Sequence, residues 1–423
     1  MTGLRICMLT TFYPPFSFGG DAIGVQRLSR ALVARGHQVT VVHDVDAFLA
    51  LHHGPVPETP TEDLDEGVRV VRLKSPLGLL SPLLVQQLGR PVLHARRLRK
   101  ILAAGQWDVV TFHNVSLLGG PGLLHYPEDA VTVYMAHEHW LICPTHVLWR
   151  HRRERCDGKE CFKCSLTYHR PPQLWRYTGA LDRGLDRVDT IVAMSEFSRA
   201  KHREFGLRQK MEVLPYFLPD SPPGPTPGSM PPHPRQYFFF AGRLEFIKGL
   251  DDVIEAFRSF SGADLVIAGD GNHAATLKTL AADLPHVHFI GGRTPEELEE
   301  YYHHALALVV PSICYETFGI VLIEAFRLGT PVIARDLGPF PEILRRSGGG
   351  VLFSSEEELI SAMKRLQEDT VYRESLGRTG AYSFHEHWTE DIIVPAYLDI
   401  VRRASARRGL TRIADRISPP EAA

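Results

Sequence analysis

The sequence lacks a long hydrophobic run and a dominant charge. Nowhere in its 423 residues do about 18 consecutive apolar residues occur, the length a helix needs to cross a membrane. The 47 basic and 49 acidic side chains leave a formal net charge of -2. This balance argues against a chain whose whole surface attracts nucleic acid or membrane. An anionic substrate would therefore need a local basic site, and any membrane contact would be peripheral.

Cysteine is scarce and unevenly distributed. Of the six cysteines, four fall in one short stretch with the spacing C-x12-C-x4-C-x2-C. The four are Cys143, Cys156, Cys161 and Cys164. Four thiolates so close in sequence fit tetrahedral zinc, while an iron–sulfur cluster needs the same ligands and disulfides fit an oxidising compartment. The sequence favours a structural zinc, while an iron–sulfur cluster and disulfide bonds remain open alternatives. Three nearby histidines can each replace one thiolate: His146, His151 and His169.

The two ends of the chain indicate the cellular compartment of the protein and its contact with membranes. Residues 4–9 form a strand-like run, and no longer apolar stretch or small-residue cleavage site follows, so we expect a cytoplasmic protein. Near the other end, six arginines form a basic strip, at positions 402, 403, 407, 408, 412 and 416. The sequence favours a solvated helix surface for this strip over contact with an anionic membrane at the inner face.

Strand-like and helix-like segments alternate along most of the chain, which predicts parallel α/β sheets. The alternation is interrupted by SPPGPTPGSMPPHP, whose prolines and glycines predict a linker. We therefore predict two Rossmann-like α/β domains facing a deep cleft, with a cysteine insertion at about 140–170. The predicted boundaries are 1–220 for the first domain, 221–236 for the linker, 237–388 for the second domain, and 389–423 for a helix that packs back on the first domain and a tail.

Two glutamates in the second domain are eight positions apart. Glu316 is predicted in the loop after a strand, and Phe318, Gly319 and Ile320 are predicted to open the next helix, with Glu324 about one turn further in. The free N–H groups of a helix N-terminus bind a diphosphate. Glu324 is then suited to accept hydrogen bonds from ribose hydroxyls, and Glu316 from hydroxyls of a sugar.

Two cations precede these glutamates, at the end of the first strand of the second domain. Arg243 and Lys248 are five residues apart. A guanidinium offers two parallel donors and an ammonium a compact charge, so both can neutralise one diphosphate as it leaves. The segment therefore predicts a catalytic role for both.

Taken in order, these motifs resemble the retaining GT-B glycosyltransferases of family four. The resemblance rests on Gly242-Arg243 with Lys248-Gly249, Ala268-Gly269-Asp270-Gly271, Pro311-Ser312, the E-x7-E stretch, and Gly329 to Ala334. It extends to the first half through Pro14-Pro15, Gly19-Gly20 and Ser195 to Ser198. It implies transfer of a sugar, with retention and without a catalytic metal, from a UDP- or GDP-sugar to a glycan, lipid-linked or small-molecule hydroxyl.

The resemblance also assigns residues in the first domain. It implies that Gly19 and Gly20 approach the donor phosphate and acceptor. It also implies a catalytic role for His137, which positions the donor sugar and supports charge near the anomeric carbon rather than acting as a nucleophile. Glu138 departs from the aspartate that the family usually carries after this histidine, and its role is open. Pro215 to Asp220 departs from the family's asparagine-glycine pair.

Other functions compete with this interpretation. A sugar-nucleotide epimerase or glycoside phosphorylase shares the fold, and a catalytically silent subunit would bind the donor without turnover. A four-cysteine module also occurs in nucleic-acid-binding proteins. Here the insertion carries one basic run, 150–155, with few aromatic residues, so we expect no nucleic-acid partner.

Overall fold

The computed structural model describes residues 3–52, 54–219 and 230–417. The chain divides into two compact units, which we call unit 1 (Met1–Pro215 and Ile393–Ala423) and unit 2 (Tyr216–Ile392). Most of the predicted linker falls at 220–229, outside the described residues, as does the predicted tail beyond 417. In the part of the chain that is described, no helix has the length and apolar character to cross a membrane.

Unit 1 contains an eight-stranded sheet and a separate hairpin. In the sheet the strand order is β10-β9-β6-β5-β1-β2-β4-β3, parallel except for the β3–β4 pair. The strands are β1 (Arg5–Leu9), β2 (Gln38–Asp44), β3 (Glu62–Asp65), β4 (Val68–Leu73), β5 (Val109–Phe112), β6 (Val131–Ala136), β7 (Trp149–Arg150), β8 (Glu154–Arg155), β9 (Thr190–Ala193) and β10 (Met211–Val213). β7 and β8 form the hairpin. The inner strands β1, β2, β5, β6 and β9 are buried along almost their whole length, as expected where helices cover both faces of a parallel sheet.

The helices of unit 1 connect these strands. They are α1 (Gly20–Ala34), α2 (Val45–Leu49), α3 (Leu80–Leu88), α4 (Ala95–Ala104), α5 (Cys161–Thr167), α6 (Ala180–Leu185) and α7 (Glu196–Glu204). In α1 the buried side chains include Val25, Leu28 and Leu32, whose spacing places them on one face of the helix. This is the strand, glycine loop and helix that the sequence predicts at the start of the chain.

Unit 2 contains a six-stranded, fully parallel sheet in the order β13-β12-β11-β14-β15-β16. The strands are β11 (Tyr237–Ala241), β12 (Asp264–Ala268), β13 (Val287–Gly291), β14 (Ala307–Val310), β15 (Val332–Arg335) and β16 (Gly350–Phe353). The helices are α8 (Leu250–Ser259), α9 (Ala274–Leu280), α10 (Pro295–His304), α11 (Ile320–Arg327), α12 (Phe340–Ser347), α13 (Glu356–Glu368) and α14 (Thr370–His387). The predicted fold class, two Rossmann-like α/β units, is confirmed.

The strand order of each sheet reverses at one point. In unit 1 the chain runs outward from β1 in one direction and from β5 in the other, and in unit 2 it does so from β11 and β14. A crevice opens between the loops that follow two such strands, and ligands of open α/β sheets bind there. Each unit therefore offers one topologically defined binding position.

The last helices are α15 (Glu390–Arg407) and α16 (Thr411–Ala414). From Ile393 onward the chain belongs to unit 1, where the Tyr397 hydroxyl lies 2.7 Å from the Thr111 hydroxyl. Five of the six arginines of the basic strip make ion pairs within unit 1: Arg402 and Arg403 with Asp399, Arg407 with Glu212, Arg408 with Asp189, and Arg416 with Asp108. The pairs with Glu212, Asp189 and Asp108 join this segment to the rest of unit 1, while Arg407 and Arg412 remain exposed at the surface.

Candidate active site

The motif loops of unit 2 meet at the carboxyl ends of β12, β11 and β14. The Ile313 N–H donates to the Ile247 carbonyl at 3.0 Å, and the Leu244 N–H donates to the Asp270 carbonyl at 2.9 Å. Gly249 has φ +70°, and a Cβ there would lie 2.3 Å from the Pro311 carbonyl oxygen. Only glycine fits this backbone approach. The spacing of the motifs thus reflects three loops packed edge to edge.

Lys248 and Glu316 meet across the point where the strand order reverses. Lys248 follows β11 and Glu316 follows β14, and the Lys248 Nζ lies 2.6 Å from the Glu316 Oε1. The Ser312 hydroxyl donates to the same carboxylate oxygen at 3.1 Å. The two side chains keep 21% and 23% of their surface exposed, so the pair is accessible to a ligand.

Both members of this pair are charged at neutral pH. Burial alone would raise the pKa of Glu316, but the Lys248 ammonium and the Ser312 hydroxyl hold it below its usual value. Burial likewise would lower the pKa of Lys248, and the Glu316 carboxylate raises it instead. A fixed ammonium therefore lies at the position where a diphosphate is expected.

Arg243 supplies a second cation near the Lys248–Glu316 pair of unit 2. Its guanidinium is 55% exposed and donates to the Glu245 carboxylate at 2.8 Å. Its charge reaches both members of the pair, since it helps to lower the pKa of Glu316 and opposes the rise in the pKa of Lys248. An exposed guanidinium beside a fixed ammonium gives the site the positive character that a diphosphate requires.

Helix α11 begins where the sequence predicts. Gly319 precedes it with φ +106°, and a Cβ there would lie 2.8 Å from the Phe340 ring. Among the described residues, no side chain caps this N-terminus. Ile320 is the first helical residue, whereas the Phe318 side chain is only 3% exposed and its ring centroid lies 5.8 Å from that of Tyr216. Phe318 can therefore contribute its backbone to a ligand, while its ring packs inside.

Glu324 lies about one turn into α11, as predicted. It accepts a hydrogen bond of 3.0 Å from the hydroxyl of Tyr302, a buried residue at the end of α10. The sequence analysis missed Tyr302, because its separation of 22 residues from Glu324 follows no local pattern. The hydroxyl fixes one carboxylate oxygen, which orients the other.

In unit 1, the loops after β1 and β5 meet at the reversal point of that sheet. The Thr11 N–H donates to the Asn114 carbonyl at 2.5 Å, and the Leu117 N–H donates to the Thr11 hydroxyl at 3.4 Å. Gly19 ends the first loop with φ +77°, and Gly20 begins α1. The predicted glycine pair thus lies at a helix N-terminus, the position that suits an anion.

His137 follows β6 and pairs with another histidine. Its Nε2 lies 2.8 Å from the Nδ1 of His113, which follows the neighbouring strand β5, and the two rings are stacked. Burial lowers the pKa of His137 to about 3 and holds that of His113 well below its usual value. The His113 Nε2 has no hydrogen-bond partner among the described residues. The sequence analysis missed His113, since only the β5–β6 pairing brings it near.

The buried histidine pair should make the protein sensitive to acid. In the unfolded chain His113 and His137 take up a proton near pH 6.5, whereas in the folded chain burial keeps them neutral. The free energy of unfolding should therefore fall as the pH drops below about 6.5, by about 1 kcal/mol per pH unit for each histidine. Urea unfolding between about pH 6.5 and pH 5 should show a shallower pH dependence in His113→Gln/His137→Gln than in the parent. The exposed His385→Gln should match the parent, and equal slopes in all three would refute this assignment.

Glu138 has a partner in the cysteine insertion. Its Oε2 lies 2.7 Å from the His146 Nδ1, and the His139 N–H donates to the His146 carbonyl at 3.1 Å. The residue that departs from the family pattern therefore connects the end of β6 to the insertion.

Two family models match the chain and together span most of it. Residues 18–221 match Glycosyltransferase Family 4, and residues 229–382 match Glycosyl transferases group 1. A GDP-mannose-dependent alpha-(1-6)-phosphatidylinositol monomannoside mannosyltransferase from Mycobacterium tuberculosis is 29% identical over 248 residues. That alignment covers 53% of this chain and 64% of the relative, so the chain spans slightly less than two thirds of that relative's length.

Solved structures share the fold over nearly the whole chain. Sucrose-phosphate synthase from Thermosynechococcus elongatus superposes with a TM-score of 0.75 at 18% identity, over 96% of this chain and 100% of that one. The Anabaena protein HepE, in complex with UDP and glucose, superposes with a TM-score of 0.66 at 16% identity, over 95% and 100%. At these identities the likeness concerns the fold alone.

Proposed function

The chain belongs to the family-4 glycosyltransferases, and from this premise we propose that it transfers a sugar, with retention, from a nucleoside-diphosphate donor to an acceptor hydroxyl. The observation that carries the proposal is the Lys248–Glu316 pair at the reversal point of the unit 2 sheet. The uncapped start of α11 follows in the same loop, so a diphosphate can meet both an ammonium and free backbone donors.

Leaving-group stabilisation supplies most of the proposed catalysis. As the bond between the sugar and the diphosphate breaks, negative charge grows on the diphosphate, and Lys248 and Arg243 neutralise it. The two cations take the part that a divalent metal would otherwise play, so we propose metal-independent turnover. The acceptor attacks from the face that the diphosphate leaves, which retains the configuration of the sugar.

The remaining site residues have separate proposed roles. Glu324 accepts hydrogen bonds from the ribose, and Glu316 positions Lys248 and accepts from sugar hydroxyls. For His137 the resemblance to the family supports contact with the transferred sugar. Its buried imidazole stays neutral at physiological pH, which suits a hydrogen bond to a hydroxyl rather than charge stabilisation.

The donor and acceptor classes are proposed from the relatives. The mycobacterial relative is named for GDP-mannose and a phosphatidylinositol mannoside, and HepE was solved with UDP and glucose. We propose a UDP- or GDP-hexose donor and a glycan, lipid-linked or small-molecule acceptor, with no nucleic-acid partner.

A donor panel tests the transferase proposal. The purified chain is incubated with UDP- and GDP-hexoses, and thermal stabilisation and slow donor hydrolysis are recorded. We expect one donor to raise the melting temperature and to release free sugar with its anomeric configuration retained. Epimerised donor or free sugar phosphate would replace the proposal with an epimerase or a phosphorylase. Binding without turnover in an acceptor screen would indicate a silent subunit, and no binding at all would refute the donor site.

We also propose a cytoplasmic protein with peripheral membrane contact, through a surface other than the arginine strip. Five leucines of residues 77–88, here called the leucine segment, are each at least 45% exposed: Leu77, Leu79, Leu80, Leu83 and Leu88. Helix α4 follows and exposes Arg96, Arg99 and Lys100. Exposed leucines followed in the sequence by exposed basic side chains are typical of a segment that contacts an anionic lipid layer.

Substitution of the leucine segment should weaken vesicle binding. Leu79→Ser/Leu80→Ser/Leu83→Ser removes apolar surface that would enter the lipid, and should reduce co-sedimentation with phosphatidylglycerol vesicles at least about tenfold. Because all three side chains are already exposed, the melting temperature should hardly change. The matched control is Val371→Ser, an exposed apolar residue in unit 2. Equal sedimentation of both variants and the parent would exclude this surface.

A further inference from the structure

The four cysteines of the insertion line one small cavity. It measures about 10 Å³, and its lining includes Cys143, Cys156, Cys161 and Cys164. We infer that these four thiolates bind a single zinc ion that organises residues 143–169. Four sulfur ligands around one small space suit a single tetrahedral zinc ion.

The second half of the insertion has almost no apolar interior of its own, whereas Leu148 and Trp149 in its first half are buried. Between residues 151 and 170 the buried side chains are Cys164 and Ser165, while the two large apolar side chains of α5, Phe162 and Leu166, are about half exposed. A segment that buries so little apolar surface does not repay the entropy of ordering its backbone. Metal coordination supplies that free energy in small domains of this kind.

Backbone strain is concentrated in the same segment. Among the described residues, seven that are not glycine have a positive φ, and five of them lie between 146 and 169. The five are His146, Leu148, His151, Arg152 and His169. Such conformations cost on the order of 1–3 kcal/mol each and persist where the surroundings fix them. Four ligands bound to one ion provide such a constraint.

Two sulfurs contact the backbone in opposite ways: Cys164 accepts a hydrogen bond, as a thiolate does, whereas the Cys156 thiol donates to the Gly158 carbonyl at 3.2 Å, a bond that zinc binding would replace. The His151 N–H donates to the Cys164 Sγ at 3.3 Å, so one sulfur accepts a backbone hydrogen bond. The Arg176 guanidinium lies within electrostatic reach of Cys143 and Cys161 and is stacked over the indoles of Trp140 and Trp175. Zinc with four thiolates carries a net charge of −2, and this guanidinium offsets part of it.

The structure also narrows the ligand set. None of the histidines weighed as substitute ligands lines the cavity, and two of them have carboxylate partners: His146 with Glu138 at 2.7 Å, and His151 with Glu160 at 3.1 Å. Among the described residues, the two groups with three candidate ligand atoms within 4.8 Å of one another contain no cysteine. Each sulfur of a tetrahedral zinc site lies about 2.3 Å from the ion, so zinc binding requires the four cysteine side chains to lie closer together than they do in this structure.

The inferred ion has a consequence for the neighbouring strand end. His146 binds both Glu138 and the backbone of His139, the two residues that follow His137. An insertion organised by zinc would fix this contact and, through it, the backbone beside His137. The role is structural and does not depend on the proposed transferase activity.

Metal analysis of the full chain tests the inference. We expect about one zinc per chain, with neither iron nor acid-labile sulfide, after purification without added metal. Under denaturing, non-reducing conditions all six cysteines should titrate as free thiols. In Cys161→Ser/Cys164→Ser the zinc should be lost, whereas Cys7→Ala, which changes a buried cysteine of β1, should keep it. Iron with sulfide, missing thiols or an absence of zinc in the parent would each overturn the inference.

A second measurement avoids variants that fail to fold. The native parent is titrated with an organomercurial reagent in the presence of a chromophoric zinc chelator. We expect one zinc to be released as the four thiols of Cys143, Cys156, Cys161 and Cys164 react. Reaction of the four thiols of the insertion without release of zinc would also overturn the inference.

Discussion

Replacement of Lys248 by methionine should lower kcat at saturating donor by about 100-fold or more. The ammonium lies at the reversal point of the unit 2 sheet, where it is fixed by the Glu316 carboxylate. If it neutralises the leaving diphosphate, its contribution grows as the bond breaks, so the loss appears in turnover as well as in donor affinity. Methionine keeps most of the length of the side chain and removes the charge.

The control for this variant must separate a catalytic loss from a structural one. Lys248→Met leaves the Glu316 carboxylate without its ammonium, so the melting temperature should also fall. In Lys248→Met/Glu316→Gln the stability should return towards that of the parent, while turnover stays low. Lys364→Met, on the exposed face of α13, should change neither. A kcat like that of the parent at saturating donor in Lys248→Met would refute the catalytic role of Lys248. Recovery of turnover in the double variant would mean that the Lys248–Glu316 pair has a structural role only.

Replacement of Glu324 by alanine should weaken binding of the nucleoside diphosphate by about 10- to 150-fold. The carboxylate is oriented by the Tyr302 hydroxyl, and a hydrogen bond from ribose to a charged acceptor contributes about 1.5–3 kcal/mol. Calorimetry should therefore show that the parent binds UDP or GDP more tightly than the corresponding 2′,3′-dideoxynucleotide. In Glu324→Ala this difference between the two ligands should disappear.

Two further variants limit the interpretation of the Glu324 result. Tyr302→Phe keeps the carboxylate and removes the hydroxyl that orients it, so it should give a smaller loss of affinity than Glu324→Ala. Glu356→Ala, at the exposed start of α13, should bind as the parent does. If Glu324→Ala still distinguished ribose from dideoxyribose, another residue would have to contact the ribose hydroxyls.

Much of unit 2 could be predicted from the sequence, because its signals are local. Apolar runs separated by helical patterns correspond to β11–β15, and the position of Glu324 in α11 follows from a count along one helix. The antiparallel strand β3 was not predicted. It lies at the edge of its sheet and carries exposed acidic residues, so it lacks the apolar pattern of the inner strands.

The contacts between distant segments could not be predicted. The sequence placed Lys248 at a diphosphate and Glu316 at the hydroxyls of a sugar, whereas the structure joins these two residues, which are 68 positions apart. His113 meets His137 because β5 and β6 are neighbours, and Tyr302 meets Glu324 because α10 packs beside α11. Arg407 and Arg408 of the basic strip pair with Glu212 and Asp189, contacts that no sequence spacing indicates.

The sequence by itself determined the α/β alternation, the order of the motif loops and the grouping of four cysteines, since each depends on spacing along the chain. Only the tertiary structure decided which loops lie side by side, which charges neutralise each other and which histidines are buried and neutral. The physical reason is that electrostatic and packing energies depend on distance in space, and parallel strand pairing brings together residues that no sequence period connects.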